Sequence, residues 1–178
     1  MADKSRKGLI QIYTGNGKGK TTAAFGLALR ASGSGLRTAI VQFMKKGEWY
    51  SEIVAIAHLP LVEIFSYGGS KFLKKGTPPD EENLQLARDA VAKARELMTA
   101  GEVDILILDE LNNAVFFDLL TEEEALCLFR EKPAHMELVV TGRNATEAMM
   151  EAADLVTEMR EIKHPYQKGI QGRKGIEF

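Results

Sequence analysis

Thr14-Gly15-Asn16-Gly17-Lys18-Gly19-Lys20-Thr21-Thr22 is the stretch that decides how this chain folds. It follows the apolar run Leu9-Ile10-Gln11-Ile12-Tyr13 and opens into Ala23-Ala24-Phe25-Gly26-Leu27-Ala28-Leu29-Arg30, a segment of helical composition. Strand, glycine-rich loop and helix, in that order, form the context in which Gly-Lys-Thr reads as an ATP phosphate site. Gly15, Gly17 and Gly19 let the backbone bend so that its N–H groups, together with Asn16, Lys18 and Thr22, converge on an anion. The helix N-terminus adds partial positive charge. Lys20 reaches the phosphate oxygens, and the Thr21 hydroxyl offers one ligand to Mg²⁺ or Mn²⁺. The usual spacing is Gly-x-x-x-x-Gly-Lys-[Ser/Thr], but here Thr14 stands where the first glycine belongs. The loop is therefore one residue shorter between Gly15 and Lys20. A shorter loop holds a triphosphate differently and points away from γ-phosphoryl transfer.

Outward from this loop, apolar β-branched runs alternate with helical patterns, the signature of a parallel α/β sheet. Strands are expected at Leu9–Tyr13, Thr38–Phe43, Val62–Tyr67, Ile105–Leu108, Leu138–Thr141 and Leu155–Met159. The first helix runs from Lys20 to about Ala31, with Gly33 and Gly35 closing it. A short helix follows at Glu52–Ala57. Leu84, Ala87, Val91, Ala94 and Met98 recur at helical steps in a helix that begins near Asp80 and ends at Gly101. Thr121 and Glu124 form a capping-box pair for Glu122–Glu131, and Asn144 with Glu147 caps another helix. Gly68–Pro79 lacks periodic order, and a segment that long in a compact domain is usually functional or mobile. The expected fold is a P-loop NTPase-like, doubly wound α/β domain: three layers around a mostly parallel sheet of five or six strands.

At 178 residues the chain is expected to form a single domain. Its apolar fraction of 45% and charged fraction of 27% are those of a soluble globular protein. A net charge of −2 gives no pull toward nucleic acid or an anionic membrane. The polar start carries no visible signal peptide, and no apolar run approaches a membrane span, so a cytoplasmic address is expected. The single cysteine, Cys127, sits in an apolar helical stretch and is expected to be a buried thiol.

Ile105-Leu106-Ile107-Leu108 ends in Asp109-Glu110. In a parallel sheet that end faces the same crevice as the phosphate loop, so a carboxylate there binds the metal opposite Thr21. Asp109 and Glu110 point in different directions, so only one is expected to approach the metal closely. Lys20, Thr21 and Glu110 are the candidate catalytic residues. Mg-ATP in a crevice does not by itself identify a reaction. An ATPase, a phosphotransferase or a noncatalytic ATP-responsive module uses the same parts, with Glu110 orienting a water in the first.

The stretch Thr14–Ala24 resembles the shortened phosphate loop of the ATP:corrinoid adenosyltransferases, the cob(I)alamin or cob(I)yrinic acid a,c-diamide adenosyltransferases. The likeness continues through Val41-Gln42-Phe43-Met44-Lys45, Gly47-Glu48-Trp49, Leu108-Asp109-Glu110-Leu111, Thr141-Gly142-Arg143 and Gly175-Ile176-Glu177-Phe178. The resemblance implies transfer of the 5′-deoxyadenosyl group of ATP to the Co(I) of a reduced corrinoid, with release of inorganic triphosphate. It also implies a triphosphate held in the reverse direction to ordinary P-loop ATPases, an electron donor that supplies Co(I), and a homodimer. The family places an aromatic pair after the third strand to cap the cobalt face. This chain has one aromatic there, Phe72, with Trp49 and Arg143 as further corrinoid or nucleotide contacts and Tyr166 a weaker aromatic candidate. Some members cover the site with a longer N-terminal helix. Here eight residues precede Leu9, so the basic, glycine-containing tail at 160–178 is the expected lid.

Overall fold

The computed structural model describes residues 6–46, 51–56, 58–69 and 73–177. Six strands form one sheet: β1 (Ile10–Thr14), β2 (Thr38–Phe43), β3 (Val62–Tyr67), β4 (Ile105–Asp109), β5 (Glu137–Thr141) and β6 (Leu155–Glu158). Their order is β3-β2-β4-β5-β1-β6, and every pairing is parallel. The helices are α1 (Lys20–Gly33), α2 (Ser51–Ile56), α3 (Glu81–Ala100), α4 (Leu111–Phe116), α5 (Glu122–Glu131) and α6 (Glu147–Glu151), followed by a 3₁₀ turn at Pro165–Lys168.

The central strands are buried on both faces, and their side chains alternate between two cores. Leu106, Leu108, Val41, Leu138 and Val140 pack with α3, α5 and α6 residues such as Val91, Leu128 and Met149. Ile105, Ile107, Ile40 and Val139 pack on the opposite face with Ala24, Ala28 and Ala31 of α1 and Ile56 of α2. Small side chains along α1 let it lie close to the sheet. The result is the three-layer α/β/α arrangement that the alternating pattern implies, with the sheet wholly parallel among the described residues.

Polar side chains pin the strand ends away from the site. Asp104 accepts the Arg37 N–H at 2.8 Å, and Asp154 accepts that of Ile10 at 2.8 Å. Lys132 threads inward to the carbonyls of Gly8 and Met136, each at 3.0 Å. Such bonds satisfy backbone groups that the ladder leaves open.

Three expectations need correction. The helix after β5 is capped by Thr146, whose side chain accepts the Met149 N–H. Asn144 instead takes a left-handed φ of 59°, because the chain is still turning after Gly142 (φ 128°), so Glu147 is the first helical residue. Cys127 is half-exposed rather than buried. The inward face of α5 is Ala125, Leu128 and Phe129, and Cys127 lies off it, 2.9 Å from an Arg130 guanidinium nitrogen. The third difference is α4, six residues starting beside Glu110 that the sequence reading assigned to no element.

The Thr121/Glu124 capping box is present, with the Glu124 N–H donating to Thr121 Oγ1 at 3.2 Å and the Thr121 N–H to Glu124 at 2.7 Å. Thr121→Ala is expected to destabilise the fold by about 1 kcal/mol, the usual worth of an N-cap, without altering the nucleotide cleft. Urea denaturation followed by circular dichroism, with ATP binding as the control, checks both halves of that statement.

Candidate active site

The phosphate loop leaves the carboxyl end of β1 and enters α1 through Gly19, whose φ of 119° is closed to other residues. Gly19 supplies no side-chain cap, so the first N–H groups of α1 remain directed at the loop's centre. Gly15 has a second reason to be glycine. Besides its φ of 92°, a Cβ there would come 2.5 Å from the Met159 carbonyl oxygen just past β6. The Gly17 N–H donates to that same oxygen at 2.6 Å, so the loop is fastened to the end of β6 as well as to β1. Lys20 is buried and its ammonium curls back under the loop, donating to the Gly15 and Gly17 carbonyls at 2.8 and 2.6 Å. Burial pushes that ammonium below its ordinary range, and Arg143 pushes it the same way, with Glu110 opposing and Lys45 adding to the fall.

Facing the loop across the crest of the sheet is a row of polar side chains set by strand register. Gln42 sits opposite Ser66 on one side and Asp109 on the other. Ser66 Oγ donates to Gln42 Oε1 at 2.9 Å, and Gln42 Nε2 donates to Asp109 Oδ2 at 2.9 Å. Thr141 Oγ1 donates to Asp109 Oδ1 at 2.6 Å. Thr21 Oγ1, from the helix above, reaches the same oxygen at 2.9 Å. Asp109 is fully buried, and burial alone would raise its pKa. The Lys45 ammonium, 2.7 Å from Oδ2, outweighs burial together with hydrogen bonds from Thr141 and Gln42, and holds the carboxyl below the usual range.

Glu110 behaves in the opposite sense. It adopts a left-handed φ of 68° at the turn into α4, which swings its carboxylate off the strand line and against Asn113 Nδ2 at 2.5 Å. Burial raises its pKa; neighbouring Asp109 adds to the rise, while Lys45, Asn113 and Lys20 oppose it. Two adjacent carboxyls are thus driven apart, Asp109 toward a firm charge and Glu110 toward holding a proton. Thr21 and Asp109 together offer the hard oxygen donors that suit a small divalent cation, with Glu110 at the rim.

A cleft of about 380 Å³ runs over these groups, lined by Asn16 to Thr22, Lys45, Glu110, Asn113, Arg143 and Glu177. The structure therefore brings together Lys20, Thr21, Thr22, Asp109, Glu110 and Arg143. Lys45 is the member that sequence reasoning missed; its signal was its place two residues after β2, at the same sheet end as Asp109. Trp49 and Phe72 lie outside the described residues. Tyr166 is 67% exposed in the 3₁₀ turn, away from the lining of this cleft. Lys18, expected on phosphate, donates to the Ile176 carbonyl at 2.7 Å and pairs with Glu177 at 3.3 Å. The tail at 173–177 thus returns to the phosphate loop, and Glu177 also accepts the Arg173 N–H at 2.7 Å.

A family model described as ATP:corrinoid adenosyltransferase BtuR/CobO/CobP matches residues 6–178. A corrinoid adenosyltransferase from a Sinorhizobium species is 40% identical over 181 residues, covering 100% of this chain and 84% of the relative. The Pseudomonas aeruginosa corrinoid adenosyltransferase is 35% identical (98% and 86% covered), and that of Escherichia coli K12 is 34% identical (98% and 88%). Among solved structures, the cytoplasmic domain of EssC superposes with a TM-score of 0.54 at 16% identity, over 94% of this chain and 34% of that one. That likeness is one of fold, and this chain spans about a third of EssC's resolved length.

The tail contact has a defined pH response. Hydrogen bonds from the Arg173 side chain and backbone, with Lys18, hold the Glu177 carboxyl at about 2, below the ordinary 4.5. The stabilisation it gives is therefore fully present above 4.5 and is lost as pH falls through about 2. Between pH 5 and 8 the tail should be insensitive to pH, and Glu177→Gln should speed tryptic cleavage at Arg173 several-fold at pH 8. Equal cleavage rates in the two proteins would show that this contact does not hold the tail.

Proposed function

The chain belongs to the ATP:corrinoid adenosyltransferase family, and from that membership we propose how its cleft performs the reaction. The protein is a transferase that adenosylates a corrinoid at the expense of ATP. The observation that carries the site reading is the buried Lys20, held by the carbonyls of its own shortened loop beside Thr21 and the ionised Asp109.

The nucleophile belongs to the substrate. The electron pair of Co(I) forms the Co–C bond at the ribose C5′, cobalt becomes formally Co(III), and the C5′–O pair leaves with the triphosphate. No protein nucleophile is needed, because the attacking electron pair belongs to the substrate's cobalt. What the protein supplies is a fixed place for the leaving group's growing charge. The α1 N–H groups and Arg143 face that charge, and Lys20 joins them. Lys20 moves from the Gly15 and Gly17 carbonyls onto phosphate, and its lowered proton affinity is restored as an anion arrives. Thr21 and Asp109 would hold Mg²⁺ or Mn²⁺, which supplies further charge neutralisation to the triphosphate when bound. Glu110, turned off the strand line against Asn113 at the rim of the site, is placed for a hydrogen bond to metal-bound water or to phosphate. The tail at 160–178, clasped through Lys18, serves as cover over the loop.

Co(I) requires an electron donor, a homodimer is the family's assembly, and the cytoplasm is where ATP and a strong reductant meet. Phe72 and Trp49 are proposed to meet the corrin. Cleavage at the γ-phosphate is the disfavoured alternative, because the shortened loop and the whole-chain family match both point to adenosyl transfer.

The test is anaerobic: protein, chemically reduced Co(I) corrinoid, ATP and Mg²⁺, followed by visible spectroscopy. Decay of the Co(I) band into a light-sensitive alkylcobalt spectrum is the expected result, with Lys20→Ala folded but reduced at least a hundredfold in kcat/KM. A Co(I) band that persists in the presence of wild-type protein would refute the assignment.

A further inference from the structure

Lys45 is built into the site with more care than an incidental surface lysine would receive. Met44, which precedes it, has a φ of 62°, a left-handed conformation that costs backbone energy in any residue but glycine. The Met44 N–H is tied to the Tyr67 carbonyl at 2.8 Å. A Cβ on Gly68 would come 2.4 Å from the Lys45 carbonyl carbon, so the chain after β3 is pressed against Lys45 from the other side. This kink turns the side chain back over the crest of the sheet instead of out to solvent.

There the ammonium lies 2.7 Å from Asp109 Oδ2, 3.2 Å from Thr21 Oγ1 and 3.9 Å from Glu110 Oε1. Asp109 and Thr21 are the groups assigned above to a divalent cation, and Glu110 stands at its rim. We propose that the Lys45 ammonium is a built-in placeholder for that cation: it occupies the metal position while the cleft is empty and exchanges with Mg²⁺ when a triphosphate arrives to receive it. The proposal rests on the nucleotide reading of this cleft, but not on the transfer reaction.

The exchange follows from distances. Mg²⁺ binds oxygen at about 2.0–2.1 Å. An ion so bound to Thr21 and to Asp109 Oδ2, an oxygen 2.7 Å from the ammonium, would sit no more than about 5 Å from the ammonium's present place, and two cations that close repel in a buried setting. One must leave. Without a phosphate, a departing Lys45 would exchange its pairing with Asp109 for water, so metal alone should bind weakly. With a triphosphate in the cleft, the ammonium gains an anionic acceptor a short swing away, and metal and phosphate enter together. In the empty cleft Lys20 cannot act as the placeholder, being engaged with the loop carbonyls. In the empty protein the same ammonium keeps the buried Asp109 charged and Thr21 oriented, so the metal ligands are already in position.

Two measurements test the exchange. Mn²⁺ binding without nucleotide, followed by electron paramagnetic resonance, should be weak in the wild type and at least tenfold tighter in Lys45→Met. Equal affinities in the two folded proteins would overturn the proposal. Should Lys45→Met fail to fold, ¹H–¹⁵N spectra of the wild-type lysine ammonium groups decide the matter, with Lys45 assigned through Lys45→Arg. The Lys45 signal should stay in place with Mg²⁺ alone and shift when Mg²⁺ and inorganic triphosphate are added together. A signal unmoved at saturating Mg²⁺ and triphosphate overturns it. Failure of the pair to bind at all would remove the nucleotide reading itself, a distinguishable result.

Discussion

Everything at the crest of the sheet depends on keeping one fully buried carboxylate charged. Asp109 has no solvent of its own, and an unpaired carboxylate in that position would cost several kcal/mol, so the surrounding sequence supplies donors on every side. Gln42 and Thr141 come from the flanking strands, Thr21 from the helix after the phosphate loop, and Lys45 from the turn after β2. Four elements are thereby fixed relative to one another by a single side chain. Because two of those four donors face the cleft, the group that holds the crest together is also the group that can take a metal.

Backbone strain is concentrated in the same place. Of five non-glycine residues with positive φ among the described residues, Met44, Glu110 and Asn144 follow β2, β4 and β5 at the cleft end of the sheet. Each costs on the order of 1–3 kcal/mol and persists only where its surroundings insist on it. Here the insistence is geometric. A straight continuation of β2 or β4 would carry Lys45 and Glu110 past the cleft, and the left-handed turn brings each one back over it. Among the described residues β1, β3 and β6 leave the crest without a non-glycine turn of this kind, and after β1 the glycines of the phosphate loop take the same role.

Much of this was legible in the residues. Gly15 to Thr22 specify strand, loop and helix through local chemistry, and Ile105–Asp109 specifies a buried strand by composition, so the glycine-rich loop and the carboxylate facing it across the crest could be placed at once. Periodicity located α3 and the capping box located α5. The misplaced helix cap turns on backbone dihedrals that short polar residues do not announce. Asn144 and Thr146 are both good caps, and only the turn at Gly142–Asn144 decides between them. α4 is too short to show a period, and Cys127 was judged by its neighbours in sequence instead of by its angle on the helix. Lys45 was hidden for the same reason, since nothing in Met44 signals a left-handed turn. Why Gly15 cannot be another residue was only half visible, because its contact with Met159 joins positions 144 apart in the chain.

The central claim is that this cleft holds a whole triphosphate as a leaving group, with bond breaking at the ribose and not between phosphates. Phosphorus NMR of the products after turnover with ATP, Mg²⁺ and Co(I) corrinoid tests it most directly. The account predicts inorganic triphosphate, formed in equal amount to the alkylated corrinoid. ADP and orthophosphate as the initial products would contradict it.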